Sequence, residues 1–314
     1  MLKKAVTYTL IFVTMLYGYR YALHEGIRKN EKGIFNKLNE AFLNKTTYEV
    51  VFLGSSRAEM HYSPKVFDSI THLSSFNLGI SGASPNVSFS VLKAFCHNHP
   101  LPKYIVLNLD YYALKHDSDV IYNFPRFFPY LTNSYLRTEL NNIDNRFNSF
   151  YYNPIHSLPY EQLSYLSTSI HGWFGIEGRY DSLCFKGYQT AETKATFQKT
   201  ENNKNSCAYI HLKNRQYIDS ICGYAKKNSI KLIIATSPIF HGSDNTINRT
   251  SVISQIKNIA AIKHVDYWDY SADSNYLKNP ALFIDEYHLN RIGSELFTKQ
   301  FSMDFNNKYG NHSF

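Results

Sequence analysis

The residues best suited to chemistry in this sequence lie in two short segments that are far apart along the chain. The first, VVFLGSSRAEM at residues 50–60, passes from an apolar run into Gly54, two serines and Arg57. The second, FIDEYHLN, contains Asp285 and His288. A serine hydroxyl becomes a nucleophile when a histidine takes its proton, and a carboxylate holds that histidine in the required tautomer. The two segments together therefore predict a site for nucleophilic catalysis.

Each of these signals also has a simpler interpretation. A Gly-Ser-Ser turn after a strand is more often a helix cap or a phosphate-binding turn than a nucleophile. Asp285 and His288 could cap the final helix. Arg57 could bind an anionic group of a substrate, or it could form an ion pair with Glu59. The chemistry therefore depends on whether the fold brings the two segments together.

A third segment, NLGISGAS at residues 77–84, could support such a reaction. Gly82 has no side chain, so its backbone N–H is unobstructed and could bind the oxyanion that forms when an ester is attacked. This segment lies at the end of the short second predicted strand, as the turn at Gly54 lies at the end of the first. Because ligands of open parallel sheets bind beyond the carboxyl ends of the strands, both turns would face the same edge.

Strands and helices in alternation must position these turns. Apolar runs predict five strands, at residues 48–53, 74–78, 103–109, 230–236 and 265–268. Helical spacing of apolar residues predicts helices at residues 64–70, 85–98, 208–228, 249–262 and 290–305. Nearly continuous apolar strands that alternate with amphipathic helices indicate a parallel sheet covered on both faces. The predicted fold class is therefore α/β, a sandwich of three layers.

The segment from about residue 118 to 205 interrupts this alternation. It is rich in Tyr, Phe, Pro and Gly and ends in a polar run. We predict an insertion, mostly irregular with short helices, that lies over one end of the sheet. It could be a structural subdomain, or it could be a lid or binding surface, since aromatic faces stack well on sugar rings and acyl chains.

The N-terminus has the pattern of a membrane-targeting segment. Lys3 and Lys4 precede an apolar stretch that ends at Arg20, and no small-x-small cleavage site follows. We predict an uncleaved signal anchor, a transmembrane helix at residues 1–24, followed by a stalk helix at residues 25–46. A cleaved signal peptide and a buried core helix are the alternatives. The anchor would place the rest of the chain outside the cytoplasm, in the periplasm or at the cell surface.

Composition excludes several classes of protein. Of the 314 residues, 44% are apolar and 18% are charged, which argues against a disordered chain. The net charge of +8 is spread along the sequence, so it indicates either solubility or attraction to an anionic membrane or polymer. No nucleic-acid-binding motif is present, and no nucleic acid partner is expected.

The four cysteines do not form a zinc-binding pattern. Cys96, Cys184, Cys207 and Cys222 lack a short repeated spacing. Cys184 and Cys207 flank a loop-like stretch and are the most natural pair for a disulfide, although free buried thiols are an alternative. The run from Cys96 to His99 is interpreted as the polar end of a helix, so no metal site and no cofactor are predicted.

The three motifs, taken in order, resemble those of the SGNH, or GDSL-type, hydrolase superfamily. The shared pattern is a strand that ends in Gly-x-Ser, a second strand that ends in Asn-x-x-Ile-Ser-Gly, and Asp-x-x-His-x-Asn before the last helix. The resemblance covers about residues 48–110 and 206–308. It implies a flavodoxin-like α/β/α sandwich at residues 47–308 and the activity of a serine esterase or acyltransferase.

The resemblance also implies a role for each candidate residue. Ser56 matches the nucleophile, His288 matches the general base, and Asp285 matches the acid that orients the base. The backbone N–H groups of Ser56 and Gly82 match the donors that bind the oxyanion. Arg57 stays a candidate for substrate binding.

Two departures from the family pattern change these expectations. Ser55 stands where the family has an aspartate, and the resulting Gly-Ser-Ser-Arg resembles membrane-anchored envelope relatives such as the DltD-like proteins. The third motif, Gly-x-Asn-Asp, is replaced by NLDYY at residues 108–112, so the asparagine that would bind the oxyanion is not at its place. Losing one such donor costs about two to three orders of magnitude in rate, so either Tyr112 or a residue of the insertion would have to substitute, or the activity would be low.

The expected protein is a membrane-anchored, extracytoplasmic serine enzyme. It would remove or transfer an O-acyl group, with acetyl as the favoured group, on a cell-envelope or secreted glycan, and a membrane acyltransferase is a candidate partner. A hydrolase of lipids or small soluble esters would differ only in substrate. The rival function, favoured by the missing asparagine, is a non-catalytic protein of this fold that binds glycan or an envelope assembly partner.

Overall fold

The structure is a computed structural model and is described for residues 1–31, 33–115, 120–176, 183–192, 208–240 and 248–310. The strands in these ranges are β1 (Val50–Gly54), β2 (Ser75–Asn77), β3 (Tyr104–Asn108), β4 (Cys184–Phe185), β5 (Tyr188–Gln189), β6 (Lys231–Thr236) and β7 (Asp266–Asp269). Five of them form a parallel sheet in the order β2-β1-β3-β6-β7, and β4 and β5 form an antiparallel hairpin. This strand order is that of flavodoxin-like folds.

Helices surround the sheet and form the insertion. They are α1 (Leu2–Arg28), α2 (Gly33–Leu43), α3 (Ser56–His61), α4 (Pro64–Thr71), α5 (Pro85–Asn98), α6 (Tyr111–Lys115), α7 (Ser134–Asn141), α8 (Arg146–Tyr152), α9 (Pro154–Ser157), α10 (Leu163–Phe174), α11 (Leu212–Lys227), α12 (Arg249–Lys263), α13 (Ser274–Leu277) and α14 (Arg291–Tyr309). Short 3₁₀ turns lie at Phe124–Tyr130, Leu158–Tyr160 and Pro280–Leu282. The five helices predicted for the α/β domain correspond to α4, α5, α11, α12 and α14.

Both faces of the sheet are buried, because helices cover each of them. Successive residues of a strand point to opposite faces. Val51 and Leu53 of β1 belong to the larger core, which packs against α2, α5, α11 and α12. Val50 and Phe52 belong to a second core with Tyr62 and with phenylalanines of α4 and α14. Burial on two sides explains why the strands are apolar along their whole length. The predicted α/β sandwich of three layers is confirmed.

The insertion is largely helical where it is described. Leu136 and Leu140 of α7 are buried in the larger core, and α7 packs against α5. The hairpin of β4 and β5 lies at the edge of the sheet, where the N–H of Asn77 donates to the carbonyl of Lys186 (2.9 Å). The predicted short helices are present, but the prediction that the insertion is mostly irregular is wrong for these residues, because the apolar side chains lie on helical faces. The polar run at the end of the insertion and Cys207, with its predicted disulfide, lie outside the described residues.

The N-terminal segment is helical, and the second half of α1 packs against the insertion. Leu23 and Ile27 contact Tyr165 of α10, and Arg20 donates to the carbonyl of Tyr151 (3.0 Å). No helix in the described part of the chain has both the length and the apolar character that a membrane span requires. The transmembrane helix predicted at residues 1–24 is therefore not supported.

The helix predicted as a stalk belongs to the α/β domain. It is α2, and its Leu38, Ala41 and Phe42 are buried in the larger core. These apolar residues, spaced three and four positions apart, form the face of α2 that packs against α5. The division between a stalk and a catalytic domain at residue 46 does not match this packing.

Candidate active site

The first turn of the site joins β1 to α3. Gly54 has a φ of +145°, and a Cβ atom on it would lie 2.6 Å from the carbonyl oxygen of Asn108, so this position requires glycine. Ser55 is the N-cap of α3, and its Oγ faces the N–H of Arg57 (3.4 Å). Ser56 is the first residue of the helix, where a backbone N–H has no acceptor within the helix.

Ser56, His288 and Asp285 form a continuous chain of hydrogen bonds. The Oγ of Ser56 lies 2.8 Å from Nε2 of His288, and Nδ1 lies 2.8 and 3.0 Å from the two carboxylate oxygens of Asp285. An ionised carboxylate only accepts, so the imidazole proton is on Nδ1 and Nε2 can accept the proton of Ser56. The fold therefore brings together the three residues that the motifs selected. Their catalytic role is a proposal.

The surroundings of Asp285 favour its ionised form. Its Oδ1 also accepts the N–H groups of Tyr287 (2.8 Å) and His288 (2.9 Å). Partial burial raises the pKa of Asp285, but the hydrogen bonds and the interaction with His288 outweigh burial and hold the pKa below its usual value. The side chain of Asp285 is 50% exposed and that of His288 is 22% exposed, so the pair can be reached from solvent.

The last helix is capped by a different residue. Asn290 Oδ1 accepts the N–H of Gly293 (3.0 Å) at the start of α14. The preceding loop closes on itself, because the N–H of Ile284 donates to the carbonyl of His288 (2.8 Å). Asp285 and His288 are therefore not a simple helix cap. We call residues 284–289 the histidine loop.

A second loop, residues 79–83, runs along the start of α3. The N–H of Ile80 donates to the carbonyl of Gly54 (3.0 Å), which brings this loop next to the first turn. Gly82 has a φ of +75°, and a Cβ atom on it would overlap the ring of Tyr122, so a side chain is not tolerated there. Tyr122 is 64% exposed, so an aromatic ring borders the second loop on its solvent side. The binding of an oxyanion by Gly82 stays a prediction.

A buried ion pair holds the second loop from behind. Glu59 of α3 lies 2.6 Å from Nζ of Lys37 of α2 and accepts the backbone N–H of Ser81 (3.0 Å) and its hydroxyl. Burial alone would raise the pKa of Glu59, but Lys37 and Ser81 outweigh it and hold the pKa below its usual value. Burial lowers the pKa of Lys37, an effect that Glu59 opposes. The predicted pair between Arg57 and Glu59 is wrong, because Glu59 is bound by Lys37.

Arg57 points into the protein. It is buried, and its guanidinium donates to the carbonyl oxygens of Ser237 and Pro238 (2.9 Å to Pro238) in the loop after β6. These bonds tie the N-terminus of α3 to the neighbouring loop. A role in binding substrate, as predicted from the sequence, does not fit this buried position.

The polar residues at and after the end of β3 form hydrogen bonds with other residues of the protein. Asn108 Oδ1 accepts the hydroxyl of Tyr62 (3.0 Å) and the N–H of Ser237 (3.1 Å). Asp110 is buried and accepts the hydroxyl of Ser55 (2.6 Å). The hydrogen bond between Ser55 and Asp110 thus holds the first turn to the end of β3. The side-chain oxygen of Asn108 holds neighbouring segments of the protein together.

Two further predictions concern Tyr112 and metal binding. Tyr112 lies on α6, but its side chain is outside the described part of the structure, so its proposed contribution to oxyanion binding stays a prediction. Within the described ranges, no group of three or more His, Cys, Asp and Glu side chains is arranged to hold a metal ion.

No protein-family model and no curated protein matches the chain. The chain is similar to a provisionally assigned acylhydrolase from Bacteroides fragilis, with 16% identity over 86% of this chain and 94% of the other, and a TM-score of 0.40. It is also similar to a provisionally assigned lipolytic protein of the G-D-S-L family from Desulfitobacterium hafniense (13% identity, 82% and 99% covered, TM-score 0.42). A GDSL-like lipase from Bacteroides thetaiotaomicron is similar as well (15%, 81% and 87%, TM-score 0.38).

Sequence reasoning missed three side chains that shape the site. Lys37 and Tyr122 come from segments interpreted as a stalk and an insertion, and no local signal indicated that they reach the second loop. His61 lies behind the site, where its Nε2 accepts the N–H of Leu289 (3.1 Å), next to His288. The only available signal for His61 was its place in the short helix that begins at Ser56.

Proposed function

We propose that this chain is a serine esterase or O-acyltransferase with Ser56 as its nucleophile. The observation that carries the proposal is the chain of hydrogen bonds from Ser56 Oγ to His288 Nε2 and from His288 Nδ1 to Asp285, each 3.0 Å or shorter. It joins residues from β1–α3 and the histidine loop, and it has the order of groups that activates a hydroxyl. A helix cap or a phosphate-binding turn requires no such chain.

In the proposed reaction, His288 acts first as a base and then as an acid. Ser56 Oγ attacks the ester carbonyl while its proton passes to Nε2 of His288, and Asp285 stabilises the imidazolium that forms. The N–H groups of Ser56 and Gly82 bind the oxyanion. The proton on Nε2 then passes to the leaving alcohol as the C–O bond of the ester breaks, which leaves an acyl group on Ser56. Water or a sugar hydroxyl, deprotonated by His288, takes that acyl group and restores the serine.

The proposed substrate is an O-acyl ester of a glycan, with acetyl as the favoured group. Support comes from Tyr122, an exposed aromatic ring that packs against Gly82, because aromatic faces stack well on the apolar faces of sugar rings. A location outside the cytoplasm, transfer in place of hydrolysis, and a membrane acyltransferase partner are predictions from the sequence motifs.

Turnover of a small acetyl ester by the purified full chain tests the proposal. We expect Ser56→Ala and His288→Ala each to lower kcat by about 10⁶-fold, the scale on which triad residues act as a unit. Ser69→Ala, which changes an exposed serine of α4, is the matched control and should keep wild-type kcat. Turnover by Ser56→Ala at the wild-type rate would contradict the proposal.

A second candidate function is a non-catalytic protein that binds glycan. The observation that favours it is the position of Asn108, whose amide oxygen is bound by Tyr62 and Ser237 and whose Nδ2 is buried away from solvent. Calorimetric binding of an acetylated oligosaccharide that remains unchanged by Ser56→Ala, together with no turnover by the wild type, would favour this candidate.

A further inference from the structure

A second histidine lies behind the proposed base and is bound through both ring nitrogens. His61, the last residue of α3, is fully buried. Its Nε2 lies 3.1 Å from the backbone N of Leu289, and its Nδ1 lies 2.9 Å from Oγ of Ser237. A backbone N–H can only donate, so Nε2 is the acceptor and the ring proton is on Nδ1, which donates to Ser237.

The neutral form of His61 is the one that fits these two bonds. Burial, and then the neighbouring Arg57 and His288 side chains, hold the pKa of His61 well below its usual value. A second proton, on Nε2, would face the N–H of Leu289 and break that bond. The imidazole therefore works as a fixed link with one acceptor and one donor.

The donor side of this link is held firmly, because Ser237 is bound at three atoms. Its N–H donates to Asn108 Oδ1 (3.1 Å), its carbonyl accepts Arg57, and its hydroxyl accepts His61. These contacts come from β3 and from both ends of α3. The acceptor side reaches Leu289, the residue after His288. His61 thus connects a rigid anchor at the edge of the sheet to the backbone of the histidine loop.

We infer that His61 is a positioning residue that sets the distance between Ser56 and His288. Ser56 and His61 are the first and last residues of α3, so one short helix carries the nucleophile and also holds the loop of its base. The rings of His61 and His288 lie 6.5 Å apart and nearly perpendicular, so His61 orients the base through Leu289 and exchanges no proton with it. This inference rests on the proposed function for its effect on rate.

Substitution of His61 in the full chain tests the inference. His61→Phe keeps an aromatic ring and removes both bonds, and we expect kcat for a small acetyl ester to fall about 10²-fold with KM unchanged, since a displacement of about 1 Å has that effect. His61→Gln should restore most of the rate, because its amide oxygen can accept from Leu289 while its NH₂ donates to Ser237. Thr298→Val is the matched control, because Thr298 binds the carbonyl of His61 (3.0 Å) and the N–H of Ser63 (2.9 Å) in the same cluster. It should lower Tm and leave kcat unchanged.

A crystal structure of His61→Phe separates this inference from the proposed function. We expect the distance between Ser56 Oγ and His288 Nε2 to exceed hydrogen-bonding range, and a distance that stays at the 2.8 Å of the native chain would overturn the inference. If the wild type has no esterase turnover but the distance lengthens in the variant, the proposed function fails and the positioning role stands. If His61→Phe does not fold, the kinetics of Ser237→Ala and His61→Gln test the inference instead. We expect a lower kcat for Ser237→Ala and a near-native kcat for His61→Gln. Native kcat in Ser237→Ala, or no turnover in folded His61→Gln, would overturn it.

Discussion

The second loop and the histidine loop lie at the same edge of the sheet and are held by the same helix, yet by different chemistry. Glu59 of α3 binds Ser81 of the second loop and is paired with Lys37 of α2. His61 of α3 binds Leu289 of the histidine loop as a neutral imidazole. One loop is therefore held through a buried pair of charges and the other through a neutral ring.

The six residues of α3 organise a site whose parts are far apart in sequence. The helix α3 presents Ser56 at its first position, Glu59 in its middle and His61 at its end. A buried ion pair is sensitive to the loss of one partner, because the other charge is left without compensation in a poorly solvated place. A neutral imidazole is sensitive to acid. The two loops should therefore respond to different perturbations.

Among the substitutions that compare the supports of the two loops, the largest effect on kcat is expected at Asp285, the carboxylate proposed to orient the base. In Asp285→Asn, an amide can donate to Nδ1 of His288, which places the imidazole proton on Nε2 and blocks proton transfer from Ser56. We expect kcat to fall about 10⁴-fold with the fold intact. Kinetics with a small acetyl ester measure the loss. A decrease of less than tenfold would mean that Asp285 does not control the tautomer of His288.

Removing the cation behind the second loop should affect stability more than chemistry. Lys37→Met removes the cation that binds the buried Glu59, which keeps Ser81 and the charge of Arg126 nearby, so we expect the free energy of unfolding to fall by about 3 kcal/mol, the low end for a broken buried pair. The double variant Lys37→Met/Glu59→Gln keeps acceptors for Ser81 and removes both charges, so it should regain most of the loss. Urea denaturation of the three proteins provides the comparison. Equal stability of the wild type and the single variant would show that the pair does not hold the loop.

A side chain at Gly82 of the second loop should lower kcat, because it would displace the backbone N–H of this residue. A Cβ atom at Gly82 overlaps the ring of Tyr122, and a φ of +75° is strained for alanine. In Gly82→Ala we expect a shifted N–H and a fall in kcat of about 10²-fold, the scale of one oxyanion donor. The double variant Gly82→Ala/Tyr122→Ala removes the overlap and should recover part of the rate. No change of kcat in the single variant would exclude Gly82 as a donor.

Acid should loosen the histidine loop before the second loop. The pKa of folded His61 lies well below its unfolded value of 6.5, so its stabilisation is complete above pH 6.5 and is lost as pH falls toward the folded pKa. For Glu59, with a pKa below its usual 4.5, the loss begins only below pH 4.5. Each group contributes a slope of about 1.4 kcal/mol per pH unit in its own window.

The free energy of unfolding as a function of pH measures this order. Arg57 and His288 are the charged or titratable groups that act on His61, and both stay in place in His61→Gln. That variant should have a shallower slope than the wild type below pH 6.5, and the Lys37→Met/Glu59→Gln variant should have a shallower slope only below pH 4.5. Superimposable wild-type and His61→Gln curves between pH 6.5 and 5 would contradict the assignment.

The same comparison explains what the sequence could predict. Ser56, Asp285 and His288 were found because each stands in a short motif next to the end of a strand or the start of a helix, and local pattern is enough to place such residues. The parallel sheet was found because burial on both faces leaves an apolar run in each strand.

The contacts that hold the two loops could not be predicted in this way. Lys37 reaches Glu59 only because α2 packs into the core, and a charge within a helical pattern indicates solvent as readily as a buried partner. Asn108 is polar at the end of a strand and gave no sign that it binds Ser237. The N-terminal apolar stretch matched a membrane span in pattern, although the second half of α1 packs against the insertion.

Covalent labelling of Ser56 tests the central claim most directly. The full chain is treated with a serine-directed fluorophosphonate, digested, and analysed by mass spectrometry, with His288→Ala as the comparison. We predict the added mass on the peptide that contains Ser56 in the wild type, and its loss in His288→Ala. A wild-type chain that carries no label at Ser56, under conditions in which a known serine esterase is fully labelled, would contradict the proposal that Ser56 is an activated nucleophile.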